Sequence, residues 1–162
     1  MATVGIALGS NLGNRVQYLR KAAAFLESIS ETEIKKSSLW ESEPVGGARY
    51  FFLNGFISIH TNQKPADLLK NLKNFEMKLG REKNPGRWEP RIIDLDIIFY
   101  DNLVIQTDTL IIPHPEFKQR LFVLYPLQEL YPDWKDPVTK DPLTKIIDEA
   151  PEIHIEITDY NW

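Results

Sequence analysis

The stretch Ile92-Ile93-Asp94-Leu95-Asp96-Ile97-Ile98-Phe99 is apolar throughout except for two aspartates one residue apart. β-Branched and aromatic residues in such a run favour a strand with a buried face, not a solvated surface strand. Side chains alternate along a strand, so Asp94 and Asp96 project from one side and Leu95 from the other. Like charges held side by side in apolar surroundings cost several kcal/mol unless cations compensate them. The fold must therefore supply a strand that is core on one face and a cation-binding site on the other.

The residues before the run name the compensation. Gly80-Arg81-Glu82-Lys83-Asn84-Pro85-Gly86-Arg87-Trp88-Glu89-Pro90-Arg91 carries Arg81, Arg87 and Arg91 into the carboxylate pair. Planar, multi-donor guanidinium groups suit phosphate, and oxygen-only carboxylate ligands suit Mg²⁺ or Mn²⁺ more than zinc. A pair on one face can bridge two ions, as two-metal phosphoryl chemistry requires. Carboxylates this close on one strand fit poorly the separated acid and nucleophile of a glycosidase. The segment reads as a nucleotide–magnesium site, with Trp88 either a packing anchor or a lid residue over the ligand.

Composition narrows the partners. A net charge of −4 argues against broad nucleic-acid binding, which needs a basic face, so the basic loop suits a small anion. The absence of cysteine removes disulfides, thiolate nucleophiles and cysteine–zinc sites. No apolar run is long enough to span a bilayer, and the N-terminus enters a strand without a leader-like segment, so no membrane and a cytoplasmic location are expected. The 162 residues read as one domain, 1–162, with an ordinary globular content of 43% hydrophobic residues.

Element patterns give the order. Thr3 to Leu8 reads as a strand, and Leu12, Val16, Leu19, Ala23 and Leu26 recur at helical spacing, capped by Ser10 or Asn11. Ile34 to Glu43 is extended, Pro44-Val45-Gly46-Gly47 breaks it, and Phe51 to Thr61 is strand-like. A second helix starts at Pro65 and stops at Gly80, ahead of the strand from Arg91 to Phe99. Strand, helix, strand, strand, helix, strand is the ferredoxin-like βαββαβ arrangement, an α+β fold with a mainly antiparallel sheet and helices packed on it. A C-terminal extension follows: a hairpin from Leu103 to Ile112, a helix around Gln119 to Leu130, and a short helix from Pro142 to Glu149.

Other motifs leave two readings open. Gly9-Ser10-Asn11-Leu12-Gly13 lacks the Walker lysine, and a tight strand-to-helix turn accounts for its glycines. His114 stands between Pro113 and Pro115, rigidly presented, with Arg120 close behind in sequence. Phe51, Phe52 and Asn54 are either core and surface residues or the stacking face and hydrogen-bonding edge for a flat heterocycle. His60 and His154 carry no supporting context.

Taken in order, Gly9-Ser10-Asn11-Leu12-Gly13, Phe52-Leu53-Asn54, Gly80-Arg81, Arg87-Trp88-x-Pro90-Arg91-x-x-Asp94-Leu95-Asp96-Ile97, Pro113-His114-Pro115 and Arg120-x-Phe122-Val123-Leu124-x-Pro126-Leu127 resemble the 6-hydroxymethyl-7,8-dihydropterin pyrophosphokinase family of folate biosynthesis. The resemblance spans nearly the whole chain, and its arginine–tryptophan–aspartate block is highly specific. It implies transfer of the β,γ-diphosphate of ATP to the pterin hydroxymethyl group, with release of AMP. It implies that Asp94 and Asp96 hold two Mg²⁺ ions and that Arg81 and Arg91 neutralise the phosphates. Arg87 and Trp88 would lie on a closing loop, with Glu76, Ile97, His114 and Arg120 near ATP. For the pterin it implies a sandwich between Phe52 and Phe122, an edge contact from Asn54, and contributions from Ser42, Val45 and Trp88.

Some positions depart from the family's pattern: Lys83 stands where arginine is frequent, Phe52 where tyrosine occurs, and Lys73 where glutamine can meet ATP. The expected partners are ATP and the pterin, with no nucleic acid, no membrane and a monomeric chain. The alternatives are a noncatalytic ferredoxin-like module that binds nucleotides or RNA, and a kinase moving only the γ-phosphate. Composition and spacing do not separate attack at the β- from attack at the γ-phosphorus; the resemblance does.

Overall fold

The computed structural model describes residues 1–44, 50–83 and 92–162. The first strand, β1 (Ala2–Ser10), leads into α1 (Arg15–Ile29), whose buried Leu19, Ala22, Ala23 and Leu26 repeat at the spacing of one helical stripe. Asn14 caps this helix, its Oδ1 accepting the Gln17 N–H at 3.2 Å, so the cap lies beyond the Ser10 or Asn11 anticipated from sequence. The expected second strand is split into β2 (Lys35–Lys36) and β3 (Trp40–Ser42), both paired with β4 (Phe52–Thr61). Helix α2 runs Pro65–Lys83, through Gly80 and not up to it, and β5 (Asp94–Tyr100) closes the βαββαβ unit. A methyl at Gly80 would meet nothing within 4 Å, so an isolated glycine there costs propensity without halting the helix.

The extension contains a two-stranded ribbon of β6 (Ile105–Gln106) and β7 (Ile111–Ile112), then α3 (Leu121–Leu130) and α4 (Leu143–Glu149). It ends with β8 (Ile155–Ile157), an element sequence patterning had missed. The main sheet runs β5-β1-β4-β3-β8, antiparallel at every pairing. Its first four segments are the order of a ferredoxin-like sheet, with β1 in the middle.

Both faces of the sheet are covered. Ile6, Leu8, Ile57, Ile59 and Leu95 pack with residues of α1 and α2, where Phe25 stacks on Phe75 at 4.5 Å. On the other face, Ala7, Phe56, Ile98 and Phe99 pack against α3 and α4. Each large side chain so buried contributes about 1.5–3 kcal/mol to holding its layer on the sheet. The β1–β5 register slips between Gly5 and Ile6, leaving Ile98 as an extra residue opposite β1. Gly5 makes the slip possible: a Cβ there would stand 2.2 Å from Phe99, whose ring stacks on Phe56. Among the described residues no helix is long and apolar enough to cross a membrane.

Candidate active site

At the Asp94 end of β5 the sheet is not fully covered, and strand alternation acts as expected. Leu95 is wholly buried in the α1–α2 layer, while Asp94 and Asp96 line one cavity of about 160 Å³ on the opposite face. Its other walls are Ala7, Leu8 and Gly9 of β1, Phe52 and Asn54 of β4, and Arg120, Phe122 and Val123 at the start of α3. Gly9 keeps the floor flat, since a Cβ there would lie 3.5 Å from Asn54 Oδ1 and 3.7 Å from Phe52 Cδ1. The two aromatics and the amide, ambiguous in sequence, are thus brought to the same space as the carboxylates.

Asn54 is 2% exposed, and its amide is fixed from behind. Nδ2 donates to the Trp40 carbonyl at 3.0 Å and to Ser42 Oγ at 2.9 Å. Both N–H groups are thereby spent on β3, and the Oδ1 acceptor is what stands over Gly9. A flat ligand offering an N–H edge matches that acceptor. Ser42 is itself buried and acts through this bond.

A second cavity, of about 220 Å³, lies on the other side of Asp96. Leu69 and Lys73 of α2, Ile97, the β6–β7 connection at Asp108–Ile111, His114 and Pro115 line it. Asp96 belongs to both cavities, and so sits where a ligand in one would meet a ligand in the other. The Arg120 guanidinium reaches Asp96 Oδ2 at 3.9 Å, Glu116 at 2.5 Å, and lies 5.8 Å from the Phe122 ring centre. Arg120 therefore lines the Asn54 cavity, not the one that holds His114.

The surrounding polar groups are individually anchored. His114 Nδ1 accepts the Glu116 N–H at 3.1 Å, which places the proton of the neutral ring on Nε2. Burial holds the His114 imidazole below the usual histidine range; Arg120 and Lys73 add to this, and Asp96 and Glu116 oppose it. Glu76 lines neither cavity: its Oε1 accepts from Lys73 at 3.1 Å and from the Leu95 N–H at 3.2 Å. It thus pins the peptide between the two aspartates. Burial raises its carboxyl above the ordinary range, Lys73 pulls it back, and Asp94 pushes it up.

The donor set can be tested against a magnesium ion. Among the described residues no cluster of three or more histidine, cysteine or acidic side chains forms a closed cage. Two half-exposed carboxylates on one face suit an ion that keeps water and takes its remaining ligands from phosphate. Arg81 lies in the last turn of α2, and Val45, Arg87, Trp88 and Arg91 lie outside the described residues. Lys73, a departure from the family's pattern, lines the second cavity, and sequence spacing offers no means of finding Asp108–Ile111, whose place in the wall comes from the ribbon's path and not from a motif.

Known proteins match this architecture. The family model described as 7,8-dihydro-6-hydroxymethylpterin-pyrophosphokinase matches residues 5–132. The chain is 45% identical over 127 residues to 2-amino-4-hydroxy-6-hydroxymethyldihydropteridine pyrophosphokinase of Bacillus subtilis, covering 77% of this chain and 75% of that protein. It is 41% identical over 144 residues to the Aquifex aeolicus protein of the same name, covering 88% and 89% respectively. The crystal structure of Plasmodium falciparum HPPK-DHPS, wild type with pterin and p-hydroxybenzoate, superposes with a TM-score of 0.70 at 16% identity. That likeness, which concerns the fold, covers 91% of this chain and 43% of the longer Plasmodium chain. A matching family model over most of the length, together with two close relatives of one name, leads to one conclusion: the chain belongs to the 7,8-dihydro-6-hydroxymethylpterin-pyrophosphokinase family.

Proposed function

We propose that the Asn54 cavity takes 6-hydroxymethyl-7,8-dihydropterin, that the His114 cavity takes ATP, and that diphosphate passes between them beside Asp96. The observation that carries this reading is the shared position of Asp96, which lines both cavities. Phe52 and Phe122 offer apolar faces to the ring, and Asn54 Oδ1 accepts from its N–H edge. On the other side, Ile97 and Leu69 offer apolar surface to the base, with Lys73 as a fixed cation beside the phosphates.

In the reaction the pterin hydroxyl oxygen forms a bond to the β-phosphorus of ATP. The bond from that phosphorus to the α,β-bridging oxygen breaks, AMP departs, and the hydroxyl proton is released to solvent. Such transfers need alignment and charge neutralisation more than covalent help from the protein. Asp94 and Asp96 are the residues that would hold Mg²⁺, two ions in this reading, and bound magnesium would neutralise the polyphosphate and acidify the alcohol. Glu76 holds the Leu95 peptide, and with it the pair of aspartates, in place. Arg81, Arg87 and Arg91 are assigned to the phosphates and Val45 and Trp88 to the pterin side.

A single unit over 1–162 is supported by the C-terminal β8 pairing in the same sheet as the βαββαβ core, and we keep a monomer as the working reading; a cysteine-free composition suits a reducing cytoplasm. Incubation with ATP, Mg²⁺ and the reduced pterin tests the reading. AMP and the pterin diphosphate are the expected products; ADP, or no turnover, would overturn it.

A further inference from the structure

The last strand, β8, lies beyond the part of the chain that the family model matches, which ends at residue 132. It nevertheless pairs with the strand that fixes Asn54. β3 is three residues long and meets β8 through Trp40↔Ile157, Glu41↔Glu156 and Ser42↔Ile155. The ladder then gains a final rung made by a side chain. Glu43 donates its N–H to the His154 carbonyl at 3.0 Å, and its carboxylate Oε1 accepts the His154 N–H at 2.7 Å. A charged acceptor on a backbone donor is stronger than an ordinary ladder bond.

His154 also reaches the residue that immediately precedes β4. Its ring stands edge-on to Phe51, with centres 6.4 Å apart. Glu43 and Phe51 immediately flank Ser42 and Phe52, which are themselves partners across β3 and β4. One residue thus ties together the two strand ends that supply the amide's anchor and one aromatic wall of the cavity. The contacts are specific in direction, and a helix cap or a core role does not account for them, because both side chains are partly or largely exposed.

We propose that Glu43 and His154 are positioning residues for the pterin-side cavity, so that a C-terminal strand outside the family-defining region tunes affinity for the heterocycle. The ligand's identity rests on the function proposed above. The loss expected on breaking the clasp is the part of one charge-assisted bond that reaches Asn54 and Phe52.

The experiment measures binding of 6-hydroxymethyl-7,8-dihydropterin in the presence of Mg²⁺ and a non-transferable ATP analogue, alongside steady-state turnover. Glu43→Ala is expected to raise the pterin Kd and KM by about fivefold to tenfold, with kcat and the KM for ATP within about twofold of wild type. Glu43→Gln, which keeps an acceptor, is expected to restore most of the affinity, and His154→Ala to lose only the smaller share owed to the ring contact. A Glu43→Ala enzyme with unchanged pterin affinity, or with equal losses toward pterin and ATP, overturns the clasp. Wild-type protein that binds the pterin but forms no AMP refutes the function while leaving the clasp to be read from Kd. Protein that does neither overturns both.

Discussion

The two cavities that meet at Asp96 are built on different principles. The Asn54 cavity is walled by sheet and α3, and its key polar group has its donors already satisfied by β3 before any ligand arrives. The His114 cavity is walled by a ribbon, a helix flank and titratable groups, with Lys73 and His114 near Asp96. The first can discriminate by shape and by one fixed acceptor; the second must work largely through charge. A site that handles a neutral heterocycle and a polyanion side by side has reason to separate these tasks, because a wall built to hydrogen-bond its ligand strongly rejects analogues that lack the partner group.

Changes that strike the shared residue should abolish the distinction altogether. Asp96→Ala is expected to lower kcat by roughly three orders of magnitude or more while the thermal midpoint stays at or above wild type. Single-turnover AMP formation and a melting curve check both halves, and near-normal turnover would remove Asp96 from the junction. Asn54→Ala should act on one side only. We expect the pterin KM to rise about tenfold, with the ATP KM unchanged. The melting temperature should fall by about 2–4 °C, because the Trp40 carbonyl and Ser42 Oγ lose their partner in a buried place.

The charged side gives smaller effects. Lys73→Met should raise the KM for ATP by about threefold, and this difference from wild type should shrink as salt is added. Steady-state kinetics at two ionic strengths decide it; an effect confined to the pterin KM would contradict the assignment. The smallest effect concerns pH. His114 has its folded-state value depressed by burial, so the unfolded chain takes up a proton more readily. Its contribution to stability is therefore full above the ordinary histidine value and is lost as pH falls from there toward the lower folded value. His114→Gln should melt with a shallower decline between about pH 7 and pH 5 than wild type. Parallel curves would mean that the ring is as free to protonate as in water.

How much of this could be read in advance depends on what each residue answers to. The face shared by Asp94 and Asp96 was legible because strand alternation is a local rule, and Leu95 in the core confirms the phase. The βαββαβ core was legible for the same reason, down to the antiparallel sheet. The Asn14 cap was missed because Ser10 and Asn11 are equally good capping residues, and only the length of β1 decides among them. β8 was missed because Ile155-Glu156-Ile157 is short and mostly exposed, and owes its existence to an edge strand far away in sequence. Pattern could not choose between core and ligand for Phe52 and Asn54, since that choice is made by Gly9 and α3, which sequence spacing does not bring near.

The slipped register at Ile98 bears on more than local pairing. Strict alternation through β5 would have sent Phe99 to the same side as Leu95. With one residue unpaired, Phe99 instead joins Phe56, Tyr131 and Trp134 on the side where the carboxylates stand. Seven residues thereby serve two ends of a single ribbon, acidic where the two cavities meet and aromatic where the C-terminal half of the chain is moored. Excising that one isoleucine would leave Asp94, Asp96 and Phe99 on one face by plain alternation, so the extra residue is what lets the strand bury Ile98 beside Phe99 as well.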